Sequence, residues 1–167
     1  MKFNEQISSK RLKKMLNYNP HTGIFTWKVS SGTKKKGDIG GYETVRGYIT
    51  ISIDGVAYKA HRLAWFYMHS KWPSFDIDHK NSIGCDNRIS NLRTASRTMN
   101  CANGHIRRTN KSGYKGIWFC PPLGLYRAKL QHRMSSIHLG YFKTAKEAHE
   151  AYKIGAKKYF GEFARIA

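Results

Sequence analysis

With 167 residues, the chain has room for one mid-sized domain or two small ones. Its 40% hydrophobic and 13% aromatic content is enough to bury a core and argues against wholesale disorder. Thirty Lys and Arg stand against ten Asp and Glu, a formal charge of +20 whose self-repulsion calls for a polyanionic partner.

The opening MKFNEQISSKRLKK lacks the apolar core of a secretory signal. No later run approaches the roughly 18 apolar residues that span a bilayer, so a soluble, cytoplasmic chain with no membrane partner is expected. SSKRLKKMLNYNP predicts a short helix, with Leu12, Met15 and Leu16 on one face and Pro20 as its stop. GIFTWKV, GYITISI and VAYKA predict strands, the last two joined through Asp54-Gly55, a pair that favours a tight hairpin turn. Lys34, Lys35 and Lys36 lie in a Gly/Ser-flanked loop open equally to solvent or phosphate. HRLAWFYMH predicts a buried helix ended by Pro73, and His61 at its start reads as a core or phosphate-adjacent residue rather than a catalytic one.

FDIDHKNSIGCDNRISNL, residues 75–92, then gathers Asp76, Asp78 and Asp86 around one histidine. Asp78 suits a hard divalent cation that takes oxygen ligands. His79 suits general-base work near neutral pH. Asn91 to Ala95 looks strand-like and Arg97 to Asn103 helical, which puts Asn100, a neutral oxygen donor, on the helix. Asp-His pairs also serve as surface pairs or turn caps, and asparagines favour loops for conformational reasons alone. On spacing, both readings stay open.

From Asn87 to Lys146 there are twelve basic residues and no acidic one, a long surface for phosphates. Cys85, Cys101 and Cys120 form no C-x-x-C pair, which argues against a disulfide framework or a Cys-rich zinc site. After the polar linker GHIRRTNKSG, the runs YKGIWF, LYRAKLQ and SIHLGYF predict a three-stranded sheet. TAKEAHEAYKIGAKKYFG predicts a helix across it, opened by a Thr144/Glu147 capping box and closed at Gly161, with Ala148, Ala151, Tyr152, Gly155, Ala156 and Tyr159 on one face.

His61-Arg62-Leu63-Ala64-Trp65, Asp78-His79-Lys80-Asn81, Asp86-Asn87-Arg88, Asn91-Leu92-Arg93 and Asn100 together resemble the HNH endonucleases of phages and mobile introns. The resemblance implies a ββα-metal arrangement and hydrolysis of a phosphodiester to 5′-phosphate and 3′-hydroxyl ends. It implies His79 as general base, Asn91 as the residue orienting its ring, and Asp78 and Asn100 as ligands of one Mg²⁺ or Mn²⁺. Asp86 is expected to tie its loop through Arg88.

The last block resembles an AP2 DNA-binding domain, through Tyr114-Lys115-Gly116-Ile117, Tyr126-Arg127-Ala128, Leu139-Gly140-Tyr141-Phe142, Thr144-Ala145-Lys146-Glu147-Ala148, Ala151-Tyr152 and Gly161. It implies a sheet face that enters the DNA major groove. Lys115, Trp118, Arg127 and Lys129 are the expected contacts there, with Arg127 and Lys129 on one strand face. Arg88, Arg93, Arg97, Arg107, Arg108 and Lys111 are expected on phosphates.

The expectation is thus an α+β protein: a nuclease domain over 1–105, a basic linker over 106–113 and an AP2-like domain over 114–167. It would nick or cut double-stranded DNA as a monomer, with a dimer left open. The rival readings are a DNA-binding regulator with a degenerate nuclease site and an RNA-directed protein, the latter without an aromatic RNP-type motif to support it.

Overall fold

The computed structural model describes residues 6–30, 32–106, 108–133 and 135–166. It is an α+β chain that divides into two compact units, Met1–Thr94 and Ala95–Ala167. Among the described residues no helix is long and apolar enough to cross a membrane.

In the first unit, helix α1 (Ser9–Met15) starts where Ser8 accepts a hydrogen bond from the Arg11 amide. The helix, expected to run on to a stop at Pro20, ends at Met15. Leu16 turns extended and opens β1 (Leu16–Tyr18), which pairs antiparallel with β2 (Phe25–Trp27) and so keeps Leu16 and Tyr18 in the core. A second sheet has the order β3 (Tyr42–Glu43), β4 (Ile49–Ile53), β5 (Val56–Lys59), all antiparallel. Its β4–β5 turn has positive φ at both Asp54 and Gly55, as a two-residue hairpin of the favoured twist requires. The short edge strand β3 has no counterpart in the sequence reading.

Helix α2 (Ala60–His69) follows β5 directly and buries Leu63, Ala64 and Phe66 against the core, with Ser70 in the left-handed conformation at its end. Arg62, 4% exposed, donates to the carbonyls of Phe75 (3.3 Å) and Pro73 (3.2 Å), and so fixes the chain entering β6 (Asp76–His79). β6 pairs with β7 (Leu92–Ala95).

In the second unit, α3 (Arg97–Asn103) is capped by the Ser96 hydroxyl. Strands β8 (Ile117–Cys120), β9 (Leu125–His132) and β10 (Ser135–Phe142) form an antiparallel sheet with β9 in the centre. Helix α4 (Ala145–Phe160) starts with both halves of the Thr144/Glu147 capping box and packs on that sheet through Ala148, Tyr152, Ala156 and Phe160. The division between the units falls after Thr94, and Ala102 of α3 joins the second core.

Candidate active site

The end of β6 places Asp78 and His79 side by side, each only 5% exposed. A buried carboxylate needs a positive or hydrogen-bonding partner. Asp78 has one in Arg93 of the paired strand, whose Nε donates to Asp78 Oδ2 at 2.9 Å. Arg93, expected on phosphate, therefore reaches inward.

His79 Nε2 lies 3.2 Å from Asn87 Oδ1. Asn87 Nδ2 donates to the Cys85 carbonyl at 3.2 Å, so its oxygen is the atom turned to the ring. That geometry assigns the ring proton to Nε2 and the basic lone pair to Nδ1. Burial lowers the imidazole pKa, while Asn87, Asp78 and Asp86 pull it up more weakly. The balance keeps His79 neutral at pH 7, the state a proton acceptor needs.

Asn87 is itself held from behind. Tyr18 of β1 donates to its carbonyl at 2.7 Å, and the Ile89 amide donates to Pro20 at 3.1 Å. Gly23 sits so close that a Cβ there would come within 2.5 Å of the Asn87 carbonyl carbon. The N-terminal hairpin thus buttresses the residue that orients the histidine.

Asn91, expected to orient the ring, instead ties the intervening loop. Its Nδ2 donates to Asn81 Oδ1 (3.0 Å) and to the Asp86 carbonyl (2.8 Å), and its Oδ1 accepts from the Asn81 amide (3.1 Å). Arg88 grips Asp86 with two bonds, Nε at 2.8 Å and Nη2 at 2.6 Å, and holds its carboxyl down at about 2. This is the loop tie that the sequence suggests for Asp86, and it occupies an arginine expected on phosphate.

His61 stands nearer the chemistry than its sequence reading implies. Its ring meets His79 edge-on at 5.1 Å, and Tyr48 lies 5.6 Å from the one and 5.8 Å from the other. His61 Nδ1 is buried without a hydrogen-bond partner, and burial lowers its pKa to about 3. Nothing in the sequence marks Tyr48 for this position, since it precedes a strand like any other aromatic.

Of the remaining expected residues, Asn100 lies on α3, half-buried, in the second unit. Arg97, Arg108 and Lys111 are exposed, and Arg107 falls outside the described residues. Lys115 is not on the sheet surface. Its ammonium donates to the carbonyls of Ala102, Gly104 (2.7 Å) and Cys101 (3.2 Å), closing the end of α3, and burial lowers it to about 8.

Trp118, Arg127 and Lys129 do share the outer sheet face. Trp118 pairs with Arg127, Arg127 with Tyr141, and Lys129 with His138. Lys129 Nζ lies 4.5 Å over the Trp118 ring, and Trp118 is 42% exposed, on the face away from α4. Tyr126 is the aromatic that packs against the helix-side core. Tyr141 and His138, in ring contact at 4.8 Å, extend the exposed face and were not among the expected contacts.

Residues 58–102 match the HNH endonuclease family model. The matched segment runs from the end of β5 through α2, β6 and β7 into α3, and contains His61, Asp78, His79, Asn87, Asn91 and Asn100. It supports an HNH endonuclease, a hydrolase acting on DNA. No curated protein and no solved structure matches the chain.

Among the described residues no three His, Cys, Asp or Glu side chains cluster as a metal cage. The donor chemistry still fits a hard cation. Asp78 offers a carboxylate already compensated by a cationic group, the Arg93 guanidinium. Mg²⁺ held by so few protein oxygens keeps several waters.

Proposed function

We propose that the chain is a metal-dependent DNA endonuclease of the HNH type found in phages and mobile introns, with the second unit's sheet as an AP2-like recognition surface. The observation that carries the reading is the neutral, buried His79, oriented through Nε2 by Asn87 beside the Asp78 carboxylate. His79 Nδ1 takes a proton from a water as the water oxygen bonds to phosphorus. The bond from phosphorus to the 3′-oxygen breaks, and that oxygen takes up a proton, leaving 5′-phosphate and 3′-hydroxyl ends. Bound Mg²⁺ or Mn²⁺ would supply positive charge for the phosphate and the leaving oxygen. Asp78 and Asn100 are the residues proposed to hold it, and the order of motifs supports Asn100. Tyr48 and His61 wall the imidazole on its ring edges and limit water beside it.

The outer sheet face offers a cation and an aromatic in adjoining positions, Lys129 over Trp118, with Arg127 between Trp118 and Tyr141. Antiparallel strands fit the major groove, and that chemistry suits phosphates and base edges. The exposed Arg97, Arg108 and Lys111 add phosphate contacts.

Plasmid cleavage with Mg²⁺ or Mn²⁺ tests the reading. Wild type converts supercoiled circles to nicked ones, and His79→Ala and Asn100→Ala do not, while both still shift DNA in a gel. A wild-type chain that binds but cuts none of a panel of host and phage DNAs would hand the case to the regulator reading.

A further inference from the structure

The turn joining β3 to β4 has a construction that the catalytic reading leaves unused. It is pinned shut at its foot. The Thr44 amide and hydroxyl both donate to the Tyr48 carbonyl (2.8 and 3.0 Å), Tyr48 N donates back to Thr44 Oγ1 (3.3 Å), and Gly47 N donates to the Thr44 carbonyl (2.8 Å). The tip is Val45-Arg46, both exposed, and Val45 at 108% relative exposure packs against nothing. A rigid support for a wholly solvated β-branched side chain contributes nothing to the core.

The foot of the same turn is built into the active site. Tyr48 faces His79 at 5.8 Å. A Cβ on Gly84 would meet the Gly47 carbonyl at 2.6 Å and the Tyr48 ring at 2.9 Å, so the turn lies directly on the loop that supplies Asn87. A duplex that presents a phosphate to His79 therefore runs past a tip only a few residues beyond Tyr48. The charge fits. Arg46 stands at the tip, and the turn's carboxylate, Glu43, lies at the foot beside Gly47. Ile83, 52% exposed on the neighbouring loop, adds a second apolar group next to the turn.

We propose that the Thr44–Tyr48 turn is a DNA probe that sets Val45 as an apolar wedge at a base step beside the cut, with Arg46 on the adjoining backbone. Apolar side chains inserted between base steps partly unstack and bend the duplex, and a pinned turn delivers one without an ordering cost at binding. The proposal rests on the nuclease reading and deepens it, because it names the DNA contact nearest the scissile phosphate.

The test separates wedge from scissors. Full-length His79→Ala protein is bound to a relaxed, closed plasmid that wild type nicks, and topoisomerase then resets the linking number. His79→Ala is expected to lower the linking number in proportion to bound protein. Adding Val45→Ala should abolish most of that shift while gel-shift affinity stays within about threefold. Adding Arg46→Ala instead should weaken binding and reduce the salt slope by about 1, with the shift per bound protein kept. Equal unwinding with and without Val45 overturns the proposal. So does a His79→Ala protein that binds without changing the linking number, and the nuclease reading survives that result because wild-type nicking tests it separately. A His79→Ala protein that does not bind the plasmid at all sinks both.

Discussion

The two polar regions of this molecule are built on opposite principles. Around His79 the polar groups are largely buried and tied to one another: Asp78 to Arg93, the imidazole to Asn87, Asn87 to Tyr18, and Asn91 to Asn81, while His61 Nδ1 is buried without a hydrogen-bond partner. On the outer face of the second unit's sheet, Trp118, His138 and Tyr141 are exposed and Arg127 and Lys129 half-buried, held mainly by the strands that carry them. Burial fixes one tautomer and keeps the imidazole neutral, which proton transfer needs. Exposure leaves cations hydrated until a phosphate replaces the water and counterions are released. The comparison teaches that twelve basic residues without an intervening acid do not form one surface. Arg93 and Lys115 are consumed inside the fold, Arg88 is exposed but held by Asp86, and the outer-facing remainder is what DNA can meet.

The largest effect expected from this contrast is at His79. His79→Ala should lower the nicking rate by about 10² to 10⁴, the range of a lost general base, with gel-shift affinity unchanged within a few-fold. A comparable loss of affinity would mean that the buried region also carries binding, and the division would fail.

Asn87 should follow. Asn87→Ala removes the acceptor on Nε2 and frees the ring to rotate, for which about 10² in rate is expected. Asn91→Ala should act differently, because its amide ties the Asn81–Asp86 loop and does not reach the ring. Its loss should appear first as a stability deficit of roughly 1 to 3 kcal/mol from unsatisfied loop polar groups, read as a lowered melting temperature. If Asn91→Ala slows cutting more than Asn87→Ala at unchanged stability, the ring is oriented from Asn91 in the working complex.

The distinction between these two asparagines shows where sequence reading stops. The order of motifs was enough to bring Asp78, His79 and their loop forward, and the capping box and Asp54-Gly55 turn follow from local rules that the structure obeys. Asn87 and Asn91 are four residues apart in one loop of identical chemistry. Which one faces the ring depends on Tyr18, Pro20 and Gly23, nearly seventy residues upstream, and on no local pattern. Lys115 escaped for the same reason. A lysine before a strand looks like surface, and only the arrival of the end of α3 turns it into a cap for three carbonyls. Trp118 lies on the outer face because its register with Arg127 puts it there, which no local pattern around it dictates.

On the exposed face the effects should be smaller and should add up. Arg127→Ala and Lys129→Ala are each expected to weaken duplex binding several-fold and to reduce the slope of log affinity against log salt by about 1, with the nicking rate at saturating protein unchanged. Lys115→Met should leave that slope alone and lower the melting temperature instead, since its ammonium meets carbonyls and not phosphate. A salt slope that falls with Lys115 would return it to the interface.

The smallest effect expected is a displacement along the pH axis. A general base works when unprotonated, so the acid limb of the rate profile reports the histidine's pKa in the complex. Burial lowers the pKa of His79, so the limb should lie below the ordinary imidazole value near 6.5, with full rate kept through mildly acid pH and lost only as His79 takes up a proton. Asn87 opposes burial by hydrogen-bonding the ring, and Asp78 and Asp86 oppose it by their charge. Removing Asn87 deletes one of the influences that favour the protonated ring. The remaining rate of Asn87→Ala should therefore fall away at a still lower pH than wild type, even though the variant is slower throughout. A limb that moves upward in that variant would mean that the ring, once released, swings toward the carboxylates or into water. The hydrogen bond would then act mainly to keep His79 buried, with its direct effect on the proton the lesser one.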